Sequence, residues 1–244
     1  DSKRGWKISR FIPNSKNLDA HDDAQLKLAM QMARRLHECT TQVKRSFSFY
    51  EESKKYESSL LSCYGIIDIP DWDEMERQAT ELNACLLSDG EKLVLCHNDD
   101  GVGRTVLCHN DFFGLNFLLA PNGHIDLIDW EYAGMSDYAN DFGTFSVCEQ
   151  LSEHEMHCAL AHYFGRKPTL QEWRHNLGQV GMAGWCWYAW SLVKEKKGDC
   201  VGDWLHIYYR YAKRYLKEAL SLYNKESPNS GFCTNPIPSE KGES

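Results

Sequence analysis

What this 244-residue chain lacks narrows its possible classes before any motif is read. It has no apolar run approaching the roughly 20 residues of a membrane-spanning helix. It has no basic surplus: 27 Lys and Arg against 35 Asp and Glu leave a formal charge of −8, which argues against a nucleic-acid partner. Its ten cysteines contain no C-x-x-C pair, and several sit inside apolar runs, where a reduced Cys behaves as a small hydrophobe. No secretory presequence is visible, so a reducing cytoplasm is the expected setting, although the chain begins at Asp1 rather than Met. It also lacks H-E-x-x-H. His154-Glu155-Met156-His157 has the wrong spacing for a zinc pair, and His154, His157 and His162 read as a polar helix face.

What is present is enough for a core: 42% apolar and 12% aromatic residues in a chain long enough to be one large domain. Helical periodicity dominates. Asp19 or Asp22 can cap a helix carrying Leu26, Met30, Ala33 and His37 on one face. A weaker helix spans 47–61, and a clear one spans 72–87 with Met75, Ala79, Leu82 and Leu86 aligned. Residues 137–151 read as helical. Ser152 with Glu155, and Thr169 with Glu172, form capping boxes that open helices to about Phe164 and Lys196. A last helix covers 203–222. The tail, 224–244, is too poor in apolar residues to bury and is expected to be disordered.

The chemistry is concentrated in residues 106–132, VLCHNDFFGLNFLLAPNGHIDLIDWEY. Asp111 and Asn116 lie five residues apart and lead into the apolar run Phe117–Leu119. Pro121-Asn122-Gly123 offers hairpin turn chemistry, and the return strand His124–Ile128 delivers Asp129 and Glu131. Phosphoryl transfer calls for such a set: a carboxylate to take the proton of an attacking hydroxyl, and an amide with a second carboxylate to hold Mg²⁺ against nucleotide phosphates. The H-N-D-x-x-x-x-N pattern followed by I-D-W-E parallels H-R-D-x-x-x-x-N and D-F-G of protein kinases. Val94–Asp99 repeats Val106–Asp111 letter for letter, but only the second copy has Asn five residues after its Asp. Asp111, not Asp99, is therefore the expected base.

At these residues the chain resembles the choline/ethanolamine kinases, within the aminoglycoside-phosphotransferase-like kinases. Asp129-Trp130-Glu131-Tyr132 matches the choline branch, and Trp187-Tyr188-Ala189-Trp190 resembles its W-x-x-W substrate helix. Phe11-Ile12-Pro13 with Leu18-Asp19 resembles the segment after the inter-lobe hinge. The resemblance covers about residues 5 to 220. It implies a mainly α (α+β) fold, a protein-kinase-like C-terminal lobe with one short catalytic hairpin. Residues 1–12 would be a hinge remnant and 13–223 the lobe. It implies catalytic roles for Asp111 and His109, and metal roles for Asn116, Asp129 and Glu131. Phe11 and Ile12 would lie at the nucleotide, and Asp141 would tie down the catalytic loop.

For the substrate, the resemblance implies Tyr132, Trp187 and Trp190 as an aromatic box for a quaternary ammonium. Trp187 and Trp190, three apart, share a helix face, whereas an isolated W-x-x-W is more often core. The family's choline-contacting Glu aligns with Cys148, and Glu149 next to it is the carboxylate on offer. No G-x-G-x-x-G occurs, so the N-terminal ATP-binding lobe is expected to be absent, or supplied as a separate partner. The expected activity is ATP- and Mg²⁺-dependent phosphorylation of choline or a related amino alcohol. The alternatives are a non-catalytic choline-binding relic and an aminoglycoside-type kinase.

Overall fold

The computed structural model describes residues 3–4, 11–90 and 105–225. Among the described residues seven helices carry the fold: α1 (Asp23–His37), α2 (Phe49–Tyr64), α3 (Trp72–Gly90), α4 (Ala139–Cys148), α5 (Glu153–Phe164), α6 (Leu170–Lys196) and α7 (Trp204–Lys225). Between α3 and α4 lie four three-residue strands: β1 (Val106–Cys108), β2 (Phe117–Leu119), β3 (Ile125–Leu127) and β4 (Gly134–Ser136). The expectation of a mainly helical fold holds, and described residues 11–90 contain no sheet strand. The duplicated Val94–Asp99, most of the Trp6–Ile12 stretch and nearly all of the expected tail lie outside the described residues.

Local chemistry sets the helix ends. The Asp22 side chain accepts from Gln25 N–H to open α1, and both capping boxes close reciprocally, Ser152 with Glu155 and Thr169 with Glu172. Each box satisfies two N-terminal N–H groups that would otherwise lack partners. α6 is buried almost all round from Arg174 to Ala189, as a central helix should be, and α2, α3, α4 and α7 pack against it while α1 packs on α5. α7 buries Ile207, Tyr208, Tyr211, Ala212, Tyr215, Leu216, Ala219 and Leu220 as one stripe. It packs on α6 backbone to backbone: a Cβ on Gly184 would stand 2.7 Å from Ala212 N.

Besides a second strand pair that was not expected, the described residues contain the expected hairpin. β2 and β3 form it, with Phe117 opposite Leu127 and Leu119 opposite Ile125. A second antiparallel pair joins β1 to β4, with Leu107 opposite Met135. Three residues each, Val-Leu-Cys and Gly-Met-Ser, are too short to show alternation, so only their packing reveals them as strands. The pair matters because β1 runs into the Asp111 loop while β4 leaves the Asp129–Tyr132 segment. It therefore clamps both ends of the 109–133 stretch.

Candidate active site

The loop after β1 turns sharply at Asn110, whose φ of 63° is left-handed, a conformation Asn tolerates better than most residues. The turn is paid for by buried hydrogen bonds. Asp141, fully buried on α4, accepts the N–H of Asn110 at 2.7 Å and of His109 at 3.0 Å. His37 of α1 bonds the same carboxylate at 3.0 Å and the Tyr163 hydroxyl at 2.8 Å. Asn110 itself donates to Tyr132 O at 3.0 Å, while Asn140 and Thr144 donate to its two oxygens at 3.2 Å. Asp141 thus anchors the loop backbone.

Asp111 follows, half-buried. Asn116 donates its amide to Asp111 O at 2.7 Å and to Asp111 Oδ2 at 3.1 Å. Burial holds the Asp111 carboxyl above its ordinary range; the Asn116 amide and His109 oppose this, and the charges of Asp129 and Glu131 add to it. Ile128 N–H donates to Asn116 O at 2.9 Å, which sets the next residue, Asp129, beside Asn116. Asp129 also takes a left-handed φ of 63° and is exposed, as is Glu131. With its amide nitrogen committed to Asp111, Asn116 has a carbonyl oxygen left to offer. That oxygen and the Asp129 carboxylate are hard ligands of the kind Mg²⁺ takes, so the donor set fits that ion.

Tyr132 connects this acidic group to the aromatic one. Its ring lies 5.3 Å from Trp187, and Trp187 lies 6.1 Å from Trp190, both edge to face. The Tyr56 and Tyr132 hydroxyls share a hydrogen bond, and Arg45 sits over the Tyr132 ring at 5.9 Å while its guanidinium donates to Glu131 O. Burial raises the Tyr132 hydroxyl pKa, and Glu131 and Asp111 raise it further, so the phenol lies within electrostatic reach of both acids. Trp187 is 5% exposed and belongs to the core cluster, whereas Trp190 is half-exposed against it. Trp185 turns away to Trp72, at 4.6 Å.

Two of the expected site residues are engaged in contacts within the protein. His109 is fully buried, with Nε2 on Ile128 O at 2.8 Å and its ring 4.8 Å from Trp130. It ties the hairpin to the loop and has no exposed surface to offer a substrate. Glu149 accepts Gly114 N–H at 2.7 Å, so its carboxylate serves the loop rather than the aromatic box. Cys148 is instead the group near Asp111: burial pushes its thiol up, with the Asp111 charge adding, and Sγ lies 3.9 Å from the Tyr208 hydroxyl. Phe11 is exposed, and Ile12 O accepts from Ser15 Oγ at 3.0 Å, just before Lys16 pairs with Leu119 on the outer edge of β2.

Asn110, His37, Arg45 and Tyr56 were missed from sequence. The only signal was Asn110's place in His-Asn-Asp; the others act through contacts from 76 to 104 residues away, as with Tyr56 on Tyr132 and His37 on Asp141. The three-histidine stretch has other partners: His154 lies 3.8 Å from Cys158 Sγ, His157 stacks on Trp173 at 3.8 Å and His162 pairs with Asp23 at 2.9 Å.

The model of the phosphotransferase enzyme family matches residues 4–175. Protein LicA of Haemophilus influenzae is 25% identical over 235 residues, 91% of this chain; the chain spans 62% of that relative's length. The choline kinase LicA of Streptococcus pneumoniae superposes with a TM-score of 0.72 at 23% identity, covering 89% of this chain and 72% of that one. A structure of LicA in complex with AMP gives 0.70 at 23% identity, covering 91% and 71%. These structural likenesses show a shared fold. No described helix is long and apolar enough to cross a membrane. On the family match over most of its length, the chain belongs to the phosphotransferase enzyme family.

Proposed function

We propose that the chain carries the acceptor site and catalytic loop of an ATP- and Mg²⁺-dependent kinase for choline or a closely related amino alcohol. One observation carries the reading: Tyr132, three residues beyond Asp129, lies against Trp187, so acidic and aromatic groups share one site. Tyr132, Trp187 and Trp190 would hold a quaternary ammonium, whose diffuse charge aromatic faces suit. Asp111 would accept the substrate hydroxyl proton as the oxygen–phosphorus bond forms and ADP leaves. Asn116 and Asp129 would hold Mg²⁺, with Glu131 adding negative charge beside them. Bound Mg²⁺ supplies neutralisation of the phosphate oxygens as charge shifts to the leaving group. The similar structures described as choline kinase and as an AMP complex support the two substrate classes. Nucleotide contact by Phe11 and Ile12 is part of the same proposal.

The test needs no turnover. Choline added to the chain should quench or shift tryptophan fluorescence, and ethanolamine, more strongly hydrated, should do so less. Each cation–π contact is worth about 0.5–2 kcal/mol, so binding will be weak but measurable. Trp187→Ala or Trp190→Ala should remove most of the response; Trp173→Ala, which alters only the stack on His157, should not. Equal calorimetric binding of ethanolamine would refute the choline preference.

A further inference from the structure

The segment from Asp111 to Asn116 must present an acid and an amide at fixed spacing, yet its only regular structure is the single 3₁₀ turn Gly114–Asn116. From outside, Leu18 N–H donates to Gly114 O at 3.3 Å, and the Asn17 amide donates to Leu115 O at 2.9 Å. The third tether is shorter and charged: Gly114 N–H donates to Glu149 Oε1 at 2.7 Å. Glu149 can do this because it caps the C-terminus of α4, its own N–H fixed on Phe145 O at 3.0 Å. The fit leaves no room. A Cβ on Gly114 would stand 2.7 Å from Leu18 O and 3.0 Å from Glu149 Oε1. Glycine at 114 and the carboxylate at 149 are thus complementary.

We infer that Glu149 is a positioning residue for phosphoryl transfer: it holds Gly114 so that Asp111 and Asn116 keep their spacing, and it does not touch the acceptor. The catalytic half rests on the proposed function, while the tether rests on geometry alone. A hydrogen bond from a backbone N–H to a buried carboxylate is among the stronger kinds, and losing it leaves the N–H without a partner. The same anchor seen from α4 explains why one residue of register matters there. Cys148 puts its Sγ 3.9 Å from the Tyr208 hydroxyl, while its neighbour, about 100° round the helix, reaches the Gly114 N–H.

The test is hydrogen exchange on the full chain, read at the Gly114 amide. Glu149→Ala should speed exchange there by about 10- to 100-fold, with α6 amides unchanged. Glu149→Gln, which keeps an acceptor oxygen, should restore most of the protection. Under turnover with ATP, Mg²⁺ and choline, Glu149→Ala should lower kcat by a similar factor with KM for choline within about twofold, and Glu149→Gln should recover it. Unchanged Gly114 exchange in Glu149→Ala overturns the tether. A raised KM at constant kcat overturns the positioning role and returns the carboxylate to the substrate. Faster exchange in a chain that phosphorylates nothing even with an ATP-binding lobe supplied overturns the catalytic half together with the proposed reaction and leaves the tether standing. Should Glu149→Ala not fold, Glu149→Asp, one methylene short, carries the same comparison.

Discussion

Asp141 shows how one buried carboxylate can set a whole loop. Its two oxygens accept two consecutive backbone N–H groups and a histidine, which an amide with a single acceptor oxygen cannot do. Asp141→Asn should therefore strand at least one buried donor and cost about 1–3 kcal/mol. In a chain of this size that lowers Tm by about 2–10 °C, measurable by calorimetry or circular dichroism. Asp111 behaves differently, since it is half-buried and its side chain meets only Asn116 among the described hydrogen bonds. Asp111→Asn should leave folding intact and, with an N-lobe restored or supplied, lower turnover by about 10²–10⁴-fold, the usual share of a general base. Asp99→Asn should be nearly silent, and equal losses from both would show that the wrong copy was chosen. The acid–amide spacing was legible in the sequence because it is a local pattern. The Asp141 anchor could only be expected through the family resemblance, since its partners lie about 30 and 104 residues away.

At the scale of elements, α4 and α6 are joined by a half-buried ion pair as well as by apolar packing. His175 Nε2 lies 2.8 Å from Asp137 Oδ2, just ahead of α4. Burial works against the charge on both groups. The neighbouring imidazole nevertheless holds Asp137 below its ordinary value of 3.8, helped by Ala139 N–H and Gln179, and Asp137 holds His175 above its ordinary 6.5. The lowered acid contributes stability above pH 4 or so that is lost as pH falls through its folded pKa. The raised histidine contributes stability below about pH 6.5 that is lost as pH rises through its folded pKa. The pair's contribution is therefore fullest between these values. Urea unfolding should show a larger gap between wild type and His175→Ala at pH 6 than at pH 9. A gap independent of pH would mean that His175 acts only by packing. The helices themselves were readable, because caps and periodicity are properties of neighbouring residues; the pairing of Asp137 with a histidine 38 residues on was not.

At the scale of the molecule, the ligands of the proposed metal come from both sides of the hairpin, and Mg²⁺ keeps waters and phosphate oxygens among its ligands. Mg²⁺ alone should therefore leave Tm unchanged, whereas Mg²⁺ with an ATP analogue should raise it by mass action if the nucleotide binds. Tight Mg²⁺ binding without nucleotide would contradict the assignment of Asn116 and Asp129. The sequence by itself determined the mainly helical fold, the capped starts of α5 and α6, the Asn122-Gly123 hairpin and the order acid, amide, acid. Each of these depends on partners within a few residues, where backbone hydrogen bonding and side-chain period leave a readable trace. Tertiary structure decided the β1–β4 clamp, the burial of His109, the turn of Glu149 toward Gly114 and the contact of Tyr132 with Trp187. Those groups lie up to 55 residues apart in the chain, and which of them meet is set by how the helices pack around α6, a property no local pattern carries.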